Sequence, residues 1–422
     1  MRVLIVAASI VAASPAVAQT VDVHAGRLID PATATVLTDQ RIRIANGRIV
    51  SVAPWRAGAN DGAVVDWSGF TVLPGLIDLH THIADGAISS NDPAEPLKHS
   101  EAATILKGVA AARTMLRAGF TTVRDVGVYR GLTDVALRDA IATGDVDGPR
   151  MFVAGGYITT PGGGGDLDVL STDVPIPETF RIGVVRNAGE ARDRARLLLD
   201  RGADFIKLIA TGAVLALGSE PGSLELSPEE MKAACDEAKL RGKYCIAHAH
   251  GAEGIKAAIR VGARTIEHAS YLDAEGIALA KARGVWLDMD IYNGDYIEEV
   301  GTREGWPAEY LRKNRETTDV QRRGFAAAVK AGARLTFGTD AAVYPYGLGA
   351  RQFTYMVRYG MTPMQAIQSA TSEAAKALGK SDVGSVAPGA FGDLVAVRGD
   401  PLKDVSVLEK VDGVIKQGKL VR

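Results

Sequence analysis

Cysteine is almost absent from this chain: only Cys235 and Cys245 occur among 422 residues. That excludes a disulfide-stapled scaffold and leaves too few thiolates for a cysteine zinc cluster. Cys235 falls in a helical pattern and Cys245 in the next apolar strand, so buried free thiols are the expectation. An excess of one charge sign is also lacking. The net charge is −2, with both signs interspersed and no basic run, so neither nucleic acid nor an anionic membrane surface is an expected partner. A small neutral or modestly charged molecule is the expected one instead. The N-terminal apolar run, VLIVAASIVAAS at residues 3–14, falls short of the roughly 20 residues that span a bilayer. Arg2 ahead of it, and Pro15 with Ala16-Val17-Ala18 after it, give the layout of a secretory signal peptide over residues 1–18. Cleavage after Ala18, export to the periplasm or beyond, and no membrane association afterwards are the expectations.

What is present is enough apolar sequence, 47%, for a full core and more than one structural unit. Residues 20–73 read as short alternating strands with turns such as Asn46-Gly47. From Gly75 the rhythm changes to apolar strand followed by Ala-rich helix. The strands are GLIDLHTH, TTVRDVG, RMFVAGGYI, DFIKLIATG, YCIAHAH, RTIEHAS, VWLDMDIY and RLTFGTDA. Eight strand–helix alternations predict a (β/α)8 barrel; a doubly wound sheet is the alternative. The C-terminal DLVAVRGD and VDGVIKQGKLVR revert to β character. The simplest arrangement is a small β-sandwich domain from residues 19–73 and 384–422, with the barrel of residues 74–383 inserted in it. The glycines Gly162 to Gly165 follow strand three as a loop, and no P-loop lysine pattern accompanies them.

Barrel enzymes carry their chemistry at the C-terminal ends of the strands, and that rule gathers a coherent set. His80 and His82 end strand one, two residues apart, so their imidazoles leave one face of the strand together. His248 and His250 end strand five, His268 ends strand six, and Asp340 ends strand eight. Five of the seven histidines fall at such ends; His24 and His99 lie elsewhere. Imidazoles and a carboxylate converging on one point suit zinc, although ligand type alone does not separate zinc from manganese or cobalt. Lys207 lies inside the apolar strand four, where a charged amine pays a large desolvation cost. It either snorkels at the barrel rim or becomes a carbamate by adding carbon dioxide, an anionic group able to bridge two cations.

These residues resemble the binuclear amidohydrolase superfamily: HxH on the first strand, lysine on the fourth, histidines on the fifth and sixth, aspartate on the eighth. LPGLIDLHTH, AHAHG, GARTIEHAS, FGTDAAVYPYG, TPMQAIQSATSEAAKALG and GSVAPGAFGDLVAV make it similar to the imidazolonepropionase-like metallopeptidase branch. That branch holds Xaa-Pro dipeptidases, arginine/lysine carboxypeptidases and ochratoxin-hydrolysing amidases. The resemblance implies two zinc ions, one held by His80, His82 and Asp340 and the other by His248 and His268. Carboxylated Lys207 and a hydroxide would bridge them, and Asp340 would relay the hydroxide's proton to the departing amine. It also implies a homo-oligomer. The expected reaction is hydrolysis of an amide that releases a C-terminal amino acid from a dipeptide or N-acyl amino acid, ochratoxin-type amides included. A mononuclear deaminase or cyclic-amide hydrolase is the alternative enzyme, and a non-enzymatic binding barrel the alternative outside catalysis.

On the substrate side His250 is expected to touch substrate, because relatives can carry tyrosine there; the alternative is a rim histidine bonded to a loop. Tyr157, Tyr292, Tyr344 and Tyr346 lie near strand ends and either line a pocket or pack at the rim. Arg124 and Arg351 either bind a substrate carboxylate or form structural ion pairs. Asp288 and Asp290 either favour a basic side chain or are rim acids. Two departures from relatives stand out. Gly164 occupies a loop position often held by histidine, and Tyr346 replaces the histidine of a PHG sequence.

Overall fold

The computed structural model describes residues 20–58, 62–85 and 90–422; the signal-peptide segment therefore lies outside the described residues. Four strands open the chain: β1 (Thr20–Asp30), β2 (Thr35–Ala45), β3 (Arg48–Pro54) and β4 (Ala63–Pro74). Asn46 and Gly47, with φ of 50° and 76°, make the two-residue turn joining β2 and β3, a conformation that Asn-Gly adopts at little cost. The chain then passes through β5 (Leu76–Thr81), α1 (Glu101–Arg117), β6 (Phe120–Asp125), α2 (Thr133–Thr143), β7 (Arg150–Val153) and β8 (Tyr157–Ile158). Next come α3 (Ala188–Asp200), β9 (Ile206–Ile209), α4 (Pro228–Leu240), β10 (Cys245–Ala249), α5 (Ala252–Val261), β11 (Thr265–His268) and α6 (Ala274–Arg283). Strand β12 (Trp286–Asp288), α7 (Asn293–Glu304), α8 (Ala308–Lys330), β13 (Arg334–Thr336), α9 (Arg351–Arg358), α10 (Pro363–Ser369) and α11 (Ser372–Leu378) complete the alternation. Strands β14 (Leu394–Val397), β15 (Val411–Lys416) and β16 (Lys419–Leu420) end the chain.

Strands β5 to β13 form a parallel barrel. The ladder runs β5-β6-β7 and then β8 through β13. Predicted strand three is split into β7 and β8 because Gly155 turns the chain with φ 75°, and Asp204 N–H to the Val153 carbonyl (2.7 Å) carries the pairing across the gap. The ring closes where Leu79 N–H donates to the Phe337 carbonyl (2.9 Å) and Thr81 bridges to Ala341. Every residue of β5, β6, β9, β10 and β11 is buried, as expected of strands covered by helices on one side and barrel filling on the other. The helices carry ordinary stop and start signals. Helix α4, for example, opens on a Ser227–Glu230 capping box with Pro228 at its first position.

The two chain ends share one seven-stranded sheet, ordered β16-β15-β14-β4-β1-β2-β3. Antiparallel pairing of β14 with β4, from Leu394 opposite Pro74 to Val397 opposite Thr71, joins them. Val23, Leu28, Ile42, Trp67, Leu394 and Ile415 fill the core of this sheet.

The cysteines correct the free-thiol expectation. Cys235 and Cys245 form a disulfide, with Cα atoms 5.2 Å apart. Residues 241–244 turn the chain directly from α4 back into β10, so the two buried side chains face each other within bridging distance. Burial and pairing give the same apolar sequence context, which is why composition pointed to thiols. The bridge closes a short loop of sequence separation 10, and the Cys235→Ser/Cys245→Ser double variant should lose about 3 kcal/mol by the loop-entropy relation. Urea unfolding of both proteins checks this, and thiol titration of the unreduced, unfolded protein should find no free cysteine.

Candidate active site

The C-terminal ends of the barrel strands open into one pocket lined by His80, His82, Lys207, His248, His250, His268 and Asp340. Three of the histidines are anchored in the same way. His80 Nδ1–H donates to Glu267 Oε2 (3.0 Å), His82 Nδ1–H to the Gly127 carbonyl (2.8 Å), and His268 Nδ1–H to Asp290 Oδ1 (3.0 Å). An acceptor on Nδ1 fixes the tautomer and leaves the Nε2 lone pair for a cation. His80 Nε2 and His82 Nε2 lie 3.4 and 3.3 Å from Asp340 Oδ1, and buried His80 Nε2 has no hydrogen-bond partner among the described residues. Ligand atoms of His80, His82 and Asp340 lie within 4.8 Å of one another, as do those of His248, His250 and His268 and those of His268, Asp290 and Asp340. Three such overlapping clusters, one of them holding that free imidazole nitrogen, are the donor set a divalent cation requires.

Two glycines make this convergence possible. A Cβ on Gly127, where φ is 128°, would sit 2.4 Å from the Tyr157 ring, and one on Gly338 would sit 1.9 Å from Asp288 Oδ1 and 2.8 Å from His80 Cβ. His268 and Asp340 themselves hold left-handed backbone, with φ of 66° and 58°. Such conformations cost a non-glycine residue free energy and persist where the surroundings over-determine them. Here Asp340 N–H is held by the His80 carbonyl (2.8 Å) and Gln321 donates to the His268 carbonyl (3.0 Å).

Burial and neighbouring charge set the protonation of these groups in the protein alone. Burial pushes Asp340 up, but the charges of His80 and His268 and the hydrogen bond from His82 outweigh it, holding the carboxylate well below its usual range. For His82 burial works downward, while Asp340, Asp125 and Asp85 raise it to about 9. Burial drives His248 and His250 well below the ordinary imidazole value, reinforced by His268. Lys207 is 1% exposed and, among the described residues, has neither an ion-pair nor a hydrogen-bond partner. Burial lowers its amine to about 8 against the pull of Glu267.

The substrate-side candidates divide. His250 and Tyr157 line the pocket; His250 Nδ1 is 2.7 Å from Ser270 Oγ, and the Tyr157 hydroxyl donates to the Gly127 carbonyl at 3.0 Å. Tyr292, Tyr344, Tyr346, Arg124 and Arg351 are not in its lining. Tyr344 is fully buried against Tyr292, whose hydroxyl accepts from Arg351 (2.9 Å), and the Tyr346 hydroxyl donates to the His82 carbonyl. Arg124 takes the ion-pair alternative deep in the barrel. It donates to the Leu79 carbonyl (2.7 Å), Thr265 Oγ1 (3.0 Å), Glu267 (3.0 Å) and Asp288 Oδ2 (3.4 Å). Asp288 is therefore not a rim acid, and Asp290 is committed to His268 and Gln321. Gly164 has no room for a side chain, since its Cβ would lie 2.8 Å from that of Ala213.

Reasoning from strand ends missed Asp85, Tyr129, Asp166, Asn293 and Tyr310, all in the lining. Tyr129 lies two residues beyond the predicted end of strand two, and Asp166 in the loop after strand three. Tyr310 and Asn293 are on helices, where no strand-end signal reaches.

A barrel with cation-ready histidines, a buried lysine and an aspartate at its strand ends defines a hydrolase of the metal-dependent class. Residues 71–421 match the model of the amidohydrolase family, and the chain belongs to that family. It is 30% identical over 369 residues to ochratoxinase of Aspergillus niger, covering 83% of this chain and 75% of that protein. It is similar to a crystal structure of a Xaa-Pro dipeptidase with methionine bound in its active site, with TM-score 0.89 and 36% identity over 95% of this chain and 99% of the other. A prolidase structure complexed with N-methylphosphonate-L-proline follows at TM-score 0.87 and 28% identity, over 96% and 99% of the two chains. The expected barrel fold and superfamily are thus borne out, and the protein is a hydrolase acting on C–N bonds.

Removing the Arg124 guanidinium would take the buried countercharge from both Glu267 and Asp288. Arg124→Met should cost roughly 3–5 kcal/mol, read as a lower urea midpoint at an unchanged slope.

Proposed function

We propose that this protein hydrolyses an amide or peptide bond to release a C-terminal amino acid from dipeptides or N-acyl amino acids, with two zinc ions. The observation that carries the reading is the meeting of His80, His82, His248, His268 and Asp340 in one pocket with a buried Lys207 that has no partner among the described residues. His80, His82 and Asp340 would hold one ion, His248 and His268 the other, with Lys207 as a carbamate between them. Such an ion pair supplies a polarised scissile carbonyl and a water acidified to act near neutral pH.

The chain's own residues do the rest. A neutral Lys207 amine adds carbon dioxide through its nitrogen lone pair and releases one proton, giving a carbamate anion whose buried charge the two ions would balance. Asp340 turns Oδ1 toward His80 and His82, while Oδ2 lies 3.4 Å from the Asn293 amide. That leaves Oδ2 placed to take the proton of the attacking water and pass it to the departing amine. Glu267, Gly127 and Asp290 hold three imidazoles in one tautomer throughout. The similarity to ochratoxinase and to Xaa-Pro dipeptidases supports an aromatic or extended acyl group as the part that stays behind.

Lys207→Ala and Asp340→Ala should each lower kcat by at least about a thousandfold while circular dichroism and Tm stay close to those of the parent protein. Metal analysis should give two ions per parent chain and fewer in both variants. A panel of dipeptides and N-acyl amino acids varied at the C-terminal residue identifies the preferred product. Near-normal turnover with one ion per chain would favour the mononuclear alternative.

We also propose that the mature protein works outside the cytoplasm as a homo-oligomer. The Arg2 and Ala16-Val17-Ala18 pattern supports export, and so does the Cys235–Cys245 disulfide, a bond that persists in oxidising compartments. N-terminal sequencing of exported protein should begin at Gln19, and native mass should exceed that of one chain.

A further inference from the structure

The pocket lining is of two chemical kinds. Leu215, Ile297 and Val343 of its lining belong to one apolar cluster. The lining also holds the acids and phenols Asp85, Tyr129, Asp166, Asp168 and Tyr310. Tyr129 links several of these. Its N–H donates to Asp85 Oδ1 (2.8 Å), its ring packs edge-on against Tyr157 at 5.4 Å, and its phenol lies in the field of Asp85, Asp166 and Tyr310. The carboxylates there are under-used. Asp166 is 1% exposed at its side chain; Oδ2 accepts from Gly162 N–H and Arg181, while buried Oδ1 has no partner among the described residues. Asp85 Oδ2 has no partner among the described residues. Asp92 and Glu95, also in the lining, are by contrast taken by Lys98 and His99. No arginine lines the pocket among the described residues, and its only lysine is Lys207.

We propose that Asp85, Tyr129, Asp166 and Tyr310 form a cation subsite that takes a protonated amine or guanidinium of the substrate. The two acids and the two phenol rings favour the same guest for independent reasons. A carboxylate with a free oxygen gains a charge-assisted hydrogen bond from an ammonium, and an aromatic face attracts a cation through its quadrupole. Arg181 pairs with Asp166 alone, and a cationic guest would answer the burial that raises both the Asp85 and the Asp166 carboxyl. An anionic guest would be repelled by the same groups. The cation can come from the free α-amino group of an unblocked dipeptide or from a basic side chain, and the apolar cluster in the lining accommodates the uncharged remainder in either case.

This subsite rests on the amide-hydrolase reading, and the test separates the two. With metal-replete protein, kcat/KM is measured for N-acetyl-Met-Leu, Met-Leu, N-acetyl-Lys-Leu and N-acetyl-Met-Lys. At least one cationic substrate should exceed the acetylated neutral reference by roughly tenfold or more, and which one does so identifies the source of the cation. Asp166→Asn, and separately Tyr310→Leu, should bring that ratio toward one. Equal kcat/KM across the four, or a ratio untouched by both variants, overturns the subsite and leaves hydrolysis standing. If none of the four is cleaved, the hydrolase reading fails, and calorimetry with hexylammonium against hexanol decides the subsite on its own. The subsite predicts a Kd roughly tenfold lower for the amine, rising with salt; equal or absent binding overturns it.

Discussion

One buried guanidinium ties the fold to its chemistry. Arg124 reaches across the barrel interior from β6 to the backbone of β5, to Thr265 and Glu267 on β11 and to Asp288 on β12. Glu267 shares its carboxylate between that guanidinium and the Nδ1 proton of His80. The barrel filling and the orientation of the first histidine therefore depend on the same oxygen atoms. An apolar filling would hold the strands together as well, and by general experience with buried ion pairs often better. It would not point an imidazole. Charge inside this barrel is best understood as the means by which a rigid scaffold presents its side chains at fixed angles.

Much of the site was legible in the sequence because strand periodicity and the strand-end rule act together. His80 and His82 share a face through the two-residue period, and His248, His268 and Asp340 meet them because every parallel strand ends at the same rim. Depth was not legible. Arg124, Asp288 and Tyr344 come from strand segments or the turns after them that read like their neighbours, and only the tilt and length of each strand decide which side chains face the pocket. Tyr129 and Tyr310 were hidden for a different reason, since a loop and a helix bring them in by tertiary packing. The disulfide escaped because apolar context describes a thiol and a bridge equally well. The fold itself was read from alternation alone, apart from the break at Gly155 that divides the third strand.

Backbone conformation adds what no residue pattern records. His268 and Asp340 sit in left-handed geometry at two different strand ends, each held by a hydrogen bond from another element. The pocket's geometry is thus maintained by surrounding packing, consistent with a site whose residues are individually disfavoured and collectively fixed.

The meeting of β4 with β14 has a consequence for how the molecule is made. The edge that β4 offers opposite β1 is completed only by residues from Leu394 onward, and the barrel ring closes between Leu79 and Phe337. Synthesis therefore leaves an open sheet edge and an open ring until nearly the whole chain has emerged. Contacts this distant in sequence are slow to form, and unpaired edges invite association with other chains in the interval. The protein's most vulnerable period is set by its topology, and it closes when β14 pairs with β4.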